Sequence, residues 1–404
     1  MPKYDVAFVG AGFAGLYAAA LLAKAGRKVV VIDPGETAGG AAAGQAIDRF
    51  RFIAGPHIGY GFEPGSPAYV FCTDLGFSPD QFTAVSRFQV VLPDRRMTVS
   101  PDARETLSEL RREFPREIDR LSRLYDEAHR FSLKASTSRL SSYLLGRRSA
   151  ETYLRDCRFS RELTSYFDVQ LRFFFGQGLA QASLASLVLL LTTPPRTFPD
   201  GCGPIAERLC SFIGERQGGV HLQVPWPELV FRRRRVAAVR SSLGAIEPRS
   251  IVINASWQPL DQMLFIAVRE EVIPVGMECN VIFLPDYDKP EDTVIFALPR
   301  DGSGSAPAGM RPLTVFGASR ERLGERIESV IPFLSDFIVR TDDQGLQARA
   351  YVLPKEVAVS PPGPQKAVKL PLPNSIRNLS LLPDSPRALY QSLQAGKGIA
   401  DRLR

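Results

Sequence analysis

The N-terminal stretch up to Gly40 constrains this chain more than any other part of it. Tyr4–Val9 (YDVAFV) reads as a buried strand and Gly10-Ala11-Gly12-Phe13-Ala14-Gly15 as a glycine turn. An Ala/Leu-rich run to Gly26 reads as a helix, and Lys28–Ile32 as a second strand ending at Asp33. This is the G-x-G-x-x-G fingerprint in strand–turn–helix–strand context. Gly10 permits the tight turn, Gly12 lets the backbone approach a pyrophosphate, and Gly15 lets the helix pack closely on the sheet. The helix N-terminus offers N–H groups and a partial positive charge to phosphates. Asp33 stands where a carboxylate accepts hydrogen bonds from ribose hydroxyls.

Composition narrows the classes. A length of 404 residues suggests two to three domain-sized units, and 45% hydrophobic with 23% charged residues is ordinary for a globular chain. The net charge of +7 and pI near 9.2 favour anionic partners such as phosphates or acidic lipid surfaces. No nucleic-acid reader is visible, so no nucleic-acid partner is expected. Cys72, Cys157, Cys202, Cys210 and Cys279 are scattered and lack C-x-x-C spacing, which suggests reduced thiols in a cytoplasmic protein. His57, His129 and His221 lie far apart, so no metal site is expected. The most apolar run, Leu184–Leu191, is shorter than a membrane span requires, and no cleavable leader is expected.

The segment after Asp33 is Pro34-Gly35-Glu36-Thr37-Ala38-Gly39-Gly40-Ala41. A glycine pair here is uncommon in NAD-dependent Rossmann proteins. It resembles the two-dinucleotide-binding motif of FAD-dependent oxidoreductases of the amine oxidase and phytoene desaturase superfamily, where Gly-Gly at this spacing usually precedes Arg. Phe50-Arg51-Phe52-Ile53-Ala54-Gly55-Pro56-His57 is similar to the G-F-x-F-D-x-G-P region of phytoene desaturases, carotenoid isomerases and retinol saturases. Phe198–Leu209 resembles the family's return to the nucleotide domain, Ile251–Asn254 its V-V-x-N-A strand, and Asn378-Leu379 with Asp384, Gly396 and Ala400 its closing motif. Ala41 replaces the Arg, Ile53 an Asp, and Pro383 a Gly. Pro227 stands where the family presents a valine N–H to adenine.

The resemblance implies an α/β fold: an FAD/NAD(P)-binding Rossmann-like domain of glutathione reductase type with an inserted α+β substrate domain. Residues 1–80, 195–260 and 365–404 would form the discontinuous FAD-binding domain, and 81–194 with 261–364 the substrate domain. FAD would be held by Gly10, Gly12, Phe13, Ala14, Gly15, Asp33, Pro34, Gly39, Gly40, Ala41, Gly55, Pro56 and Asp384, with His57 and Tyr60 placed to approach the flavin face.

Periodicity supplies the remaining elements. Residues 81–98 alternate as an antiparallel ribbon. Ser100-Pro101-Asp102 opens a helix, with Ser100 as cap, that continues to Phe131 with a break near Pro115. Further helices are expected over 138–156, 160–175 and 179–192, in a block rich in aromatics such as Tyr166, Phe167 and Phe173–Phe175. That block reads as a helical core or as a tunnel or membrane-dipping surface for a long apolar molecule. Strands are expected near 219–224, 228–232, 235–241, 277–284, 292–298, 312–317 and 346–352, one helix near 320–339, a linker at Pro361–Pro364 and a closing helix over Ala388–Leu403. Arg232–Arg235 reads as a solvated turn or a contact for anionic headgroups.

Neither a Ser/His/Asp arrangement nor a carboxylate pair is visible, as suits chemistry resident in a flavin. Three readings stand. The first is an FAD-dependent oxidoreductase of phytoene desaturase or carotenoid isomerase type, acting on an apolar isoprenoid-like substrate, cytoplasmic or peripheral on the inner face of the membrane. The second is an amine oxidase or protoporphyrinogen oxidase-like flavoenzyme with a smaller substrate. The third, motivated by Ala41, Ile53, Pro227 and a short final turn, is a binding protein that keeps the fold without redox turnover.

Overall fold

The structure, a computed structural model, describes residues 3–53, 57–81, 83–198, 201–232, 235–254, 262–300, 303–317, 323–342, 378–382 and 389–404. Gly55, Pro56, Pro383, Asp384, the Pro361–Pro364 linker, Arg233, Arg234 and the expected strand at 346–352 lie outside the described residues.

A five-stranded parallel sheet carries the fingerprint. Its order is Gly219–His221, Val29–Ile32, Val6–Val9, Ser250–Asn254, Leu379–Leu382. Each strand alternates its side chains between two cores, as a period of two requires. Val6, Phe8, Val29, Val31 and Val252 face the helices Phe13–Lys24, Gly203–Glu215 and Leu389–Leu403. Ala7, Val9, Val30, Ile32, Ile251 and Ile253 face an antiparallel ribbon of Glu228–Arg232, Arg235–Ser241 and Gly244–Ile246. The fingerprint helix is buried from Phe13 to Ala23. Its alanines admit close neighbours, and a Cβ on Gly396 would come within 2.6 Å of Ala14 O.

The second layer system is a mixed sheet in the order Ile338–Asp342, Gln262–Arg269, Met310–Gly317, Val294–Ala297, Asn280–Phe283, Phe88–Leu92, Arg95–Val99. Only the Asn280–Phe283 and Phe88–Leu92 pair is parallel. Val91, Ile266, Val281, Phe296 and Val315 face the helix Leu323–Val330. Val90, Phe265, Ile282, Ala297 and Phe316 face six helices: Ala103–Glu113, Ile118–Thr137, Arg139–Arg147, Ala150–Asp156, Arg161–Phe175 and Leu184–Thr192. Ser138, Ser149, Ser160 and Ser183 each cap one of these, the hydroxyl accepting from the N–H three residues on.

Several expected elements shift. Asp102, not Ser100, caps the first of the six helices, its carboxylate accepting from Arg104 N at 2.8 Å. The helix expected over 138–156 is two, divided where Ser149 caps the second. The helix expected near 320–339 ends at Val330, because Pro332 has no N–H and disfavours helical geometry at Ile331. Phe333 follows with φ 63°, then a short 3-10 turn and the strand Ile338–Asp342. The long strand Gln262–Arg269 carries no counterpart among the sequence expectations.

Candidate cofactor and active site

The glycine turn is held from three sides. Gly10 has φ 103°, a conformation glycine adopts without strain, and a Cβ there would lie 2.0 Å from Asn254 O. Gly15 is equally confined, its Cβ position 2.5 Å from Asn254 Oδ1. Asn254 joins strand to helix: Oδ1 accepts from Gly15 N at 3.0 Å and Nδ2 donates to Leu382 O at 3.1 Å. Asp33 braces the turn from the other side. Its Oδ2 accepts from Ala11 N at 2.6 Å and its Oδ1 from Gly35 N at 2.6 Å. Each oxygen keeps a second lone pair for a ribose hydroxyl.

Gly39 closes the third side. It forms a parallel bridge with Gly12, and its N–H donates to Ala11 O at 2.8 Å. Gly40 and Ala41 begin a 3-10 turn, Gly40–Ala43, onto which the returning chain locks through Cys202 N donating to Ala42 O at 3.2 Å. Gly12 precedes the fingerprint helix without a side chain to cap it, and Asn254 takes the Gly15 N–H of the first turn, so an anion would meet the rest of that turn's backbone and the helix dipole. Phe13 and Ala14 are buried and offer only backbone to this cradle. Pro34 leads the chain out of it, half-buried. Pro227 is buried just ahead of the ribbon strand Glu228–Arg232. Burial pushes the neighbouring thiol of Cys202 well up and that of Cys72 up to about 12, so neither is a nucleophile.

An aromatic line leads away from the cradle. Phe13 meets Phe62 edge-on at 6.2 Å, and Phe62 meets Phe198 at 5.6 Å. Phe198 lines a cleft of about 250 Å³ in which Ile53, His57 and Thr197 face Glu278, Cys279 and Leu298 of the second sheet. The His57 ring lies parallel to Phe316 at 6.0 Å. Tyr60 does not share this cleft. It is sealed in the helical core, stacked on Phe175 at 5.2 Å, and burial pushes its hydroxyl well up.

Beside the cleft runs a cross-strand row, Asn280, Ala297 and Thr314, on one sheet face. Asn280 Oδ1 and Thr314 Oγ1 are buried and, among the described residues, have no hydrogen-bond partner. Buried polar atoms are normally paired, so this row is an exception within the sheet, and neither side chain lines the cleft itself. The sequence reading missed it. Neither residue belongs to a motif, and only the strand register brings them together. Among the described residues no cluster of His, Cys, Asp and Glu could hold a metal. A second cavity, of about 330 Å³, lies between Tyr17, Ala68 and Leu393 of the nucleotide domain and Ala135, Leu145 and Val188 of the helices.

Comparison with known proteins agrees with this architecture. Residues 9–75 match the NAD(P)-binding Rossmann-like domain family. A stretch of 64 residues is 44% identical to all-trans-retinol 13,14-reductase of Macaca fascicularis, covering 16% of this chain and 10% of that enzyme. An oxidoreductase from Methanosarcina mazei superposes with TM-score 0.61 at 13% identity, over 98% of this chain and 99% of its own. A RAB GDI from Plasmodium falciparum gives 0.66 at 13% identity over 99% and 98%. Cyclohexylamine oxidase from Brevibacterium oxydans gives 0.54 at 13% identity over 100% and 99%. The fold is therefore a two-domain one with a Rossmann-like nucleotide domain, shared by solved oxidoreductases and a RAB GDI alike.

Proposed function

We propose that this chain is an FAD-dependent oxidoreductase acting on a long apolar, isoprenoid-like substrate, in the manner of phytoene desaturases and carotenoid isomerases. The carrying observation is continuity. A backbone-lined dinucleotide cradle is joined through Phe13, Phe62 and Phe198 to a cleft that Ile53, His57 and Leu298 also line. The donor set fits the cofactor at its nucleotide end: a glycine-turned helix N-terminus for the pyrophosphate and Asp33 for the ribose. When bound, FAD supplies the hydride-accepting ring. The chain's own residues supply position and dryness. Gly10, Asn254 and Asp33 fix the turn, while the cleft sets apolar Ile53, Phe198 and Leu298 beside the charged Arg87, Glu278 and Arg300. An apolar substrate accords with the second cavity, where Ala135, Leu145 and Val188 supply apolar lining.

A visible spectrum of the purified or FAD-reconstituted protein tests this. Flavin bands that bleach on anaerobic addition of an isoprenoid polyene are expected, whereas a colourless chain that rejects FAD would overturn the reading. One observation favours a second reading, a binding protein without turnover. The aromatic block Tyr166, Phe167 and Phe173–Phe175 packs as core, and the space that Tyr60 and Tyr125 line beside it is about 120 Å³, too small for a long tunnel. Bound flavin that no candidate substrate or amine bleaches would support that alternative.

A further inference from the structure

Two helices, Ile118–Thr137 and Arg139–Arg147, meet at an elbow where Ser138 ends one and caps the other. In the shorter helix Leu140, Tyr143, Leu144 and Arg147 follow the i, i+3, i+4, i+7 spacing of a face that normally turns to a core. Here it turns to solvent. Leu140 is 66% exposed, Tyr143 58% and Leu144 51%, while Leu145 on the other side is buried in the helical core. Leu133, in the last turn of the longer helix, is 69% exposed. A run of exposed large apolar side chains on one helix face marks an interaction surface.

Along the stretch of chain that carries this face, the charge has one sign. From Ala128 to Ala150 the sequence holds Arg130, Lys134, Arg139, Arg147 and Arg148 and no Asp or Glu. Arg130, Lys134, Arg147 and Arg148 are exposed, and among the described residues none of the four pairs with a carboxylate. Arg147 instead donates to Tyr143 Oη at 2.8 Å, holding the ring along the stripe. An apolar stripe bordered by cations is the pattern of a helix lying in a lipid interface, where the side chains enter the acyl boundary and the cations meet headgroup phosphates. A second copy of this chain is disfavoured as occupant, because a symmetric contact would set cations against cations. The ribbon end at Arg232 and Arg235 has charge without such a stripe among the described residues.

We propose that this elbow docks the protein on an anionic lipid bilayer. The cavity of about 330 Å³, which Ser132, Ala135, Ser142 and Leu145 line from the elbow, would then lie behind the docked helix. The inference goes beyond the oxidoreductase reading and does not depend on it, because vesicle binding requires no flavin.

Flotation of the full chain with vesicles tests it. The protein should float with phosphatidylcholine–phosphatidylserine vesicles at low salt, and not with phosphatidylcholine alone or at high salt. A Leu140→Ser/Tyr143→Ser/Leu144→Ser variant and a Lys134→Glu/Arg148→Glu variant should each bind at least about tenfold more weakly. All these positions are exposed, so circular dichroism and thermal melting should stay as in the parent, and Val275→Ser, exposed elsewhere, should bind normally. Wild-type protein that ignores anionic vesicles, variants that bind undiminished, or a dimer that the apolar variant dissociates in the absence of lipid binding would each overturn the proposal.

Discussion

At the scale of single residues, Thr314 separates a structural from a ligand-facing role. Its hydroxyl is buried and unpaired, so Thr314→Val removes a desolvated polar group while keeping the side chain's volume. The cofactor-free protein should gain about 1 kcal/mol in stability, read by urea unfolding. Where the row serves a bound molecule, the same variant should hold FAD or substrate more weakly. Unchanged affinity would remove this row from the site. Residues of this kind are invisible in a sequence. Gly10, Gly12, Gly15 and Asp33 are legible because their chemistry is local and repeats a known spacing. Asn254 was visible as part of a strand motif, but its work, bonding Gly15 N and Leu382 O, joins positions that only the fold brings together.

At the scale of elements, the ribbon and the closing strand depend on one side chain. Asn378 Oδ1 accepts from Val236 N at 2.9 Å while Nδ2 donates to Val236 O at 2.9 Å and to Arg249 O at 3.3 Å. The amide thus acts as an extra strand position beside the ribbon. Asn378→Ala should cost about 1–3 kcal/mol, since it leaves the Val236 groups without this partner. The melt should shift accordingly, and proteolysis should reach the Glu228–Ile246 ribbon earlier. A variant as stable and resistant as the parent would show that solvent replaces these bonds without loss. Helix starts were partly legible, through serines and prolines, yet the caps fell at Asp102 and Ser149 because competing polar residues stood nearby. The strand Gln262–Arg269 escaped because its run QMLFIAVR is buried on both faces and lacks a clean alternation.

At the scale of the whole molecule, burial of weak acids sets the response to pH. Burial pushes the thiols of Cys72 and Cys210 up to about 12, and pushes Cys202, Tyr17, Tyr60, Tyr125 and Tyr166 well up. In the unfolded chain thiols ionise near about 8.5 and phenols near about 10. Above those values the unfolded state releases protons that the native state retains, so stability falls as pH rises. The contribution is complete below about pH 8.5 and is lost progressively toward the folded-state values. The melting temperature should therefore stay level from neutrality to about pH 8.5 and decline beyond it, with the buried Cys72 and Cys202 resisting alkylation until the chain unfolds. The thiols and Tyr17 lie in the nucleotide-domain core, and Tyr60, Tyr125 and Tyr166 in the helical core, so the first should begin to loosen from about pH 8.5 and the second from about pH 10. Labelling of Cys72 or Cys202 at pH 8 in protein with a native circular dichroism spectrum would contradict the packing on which the cradle stands.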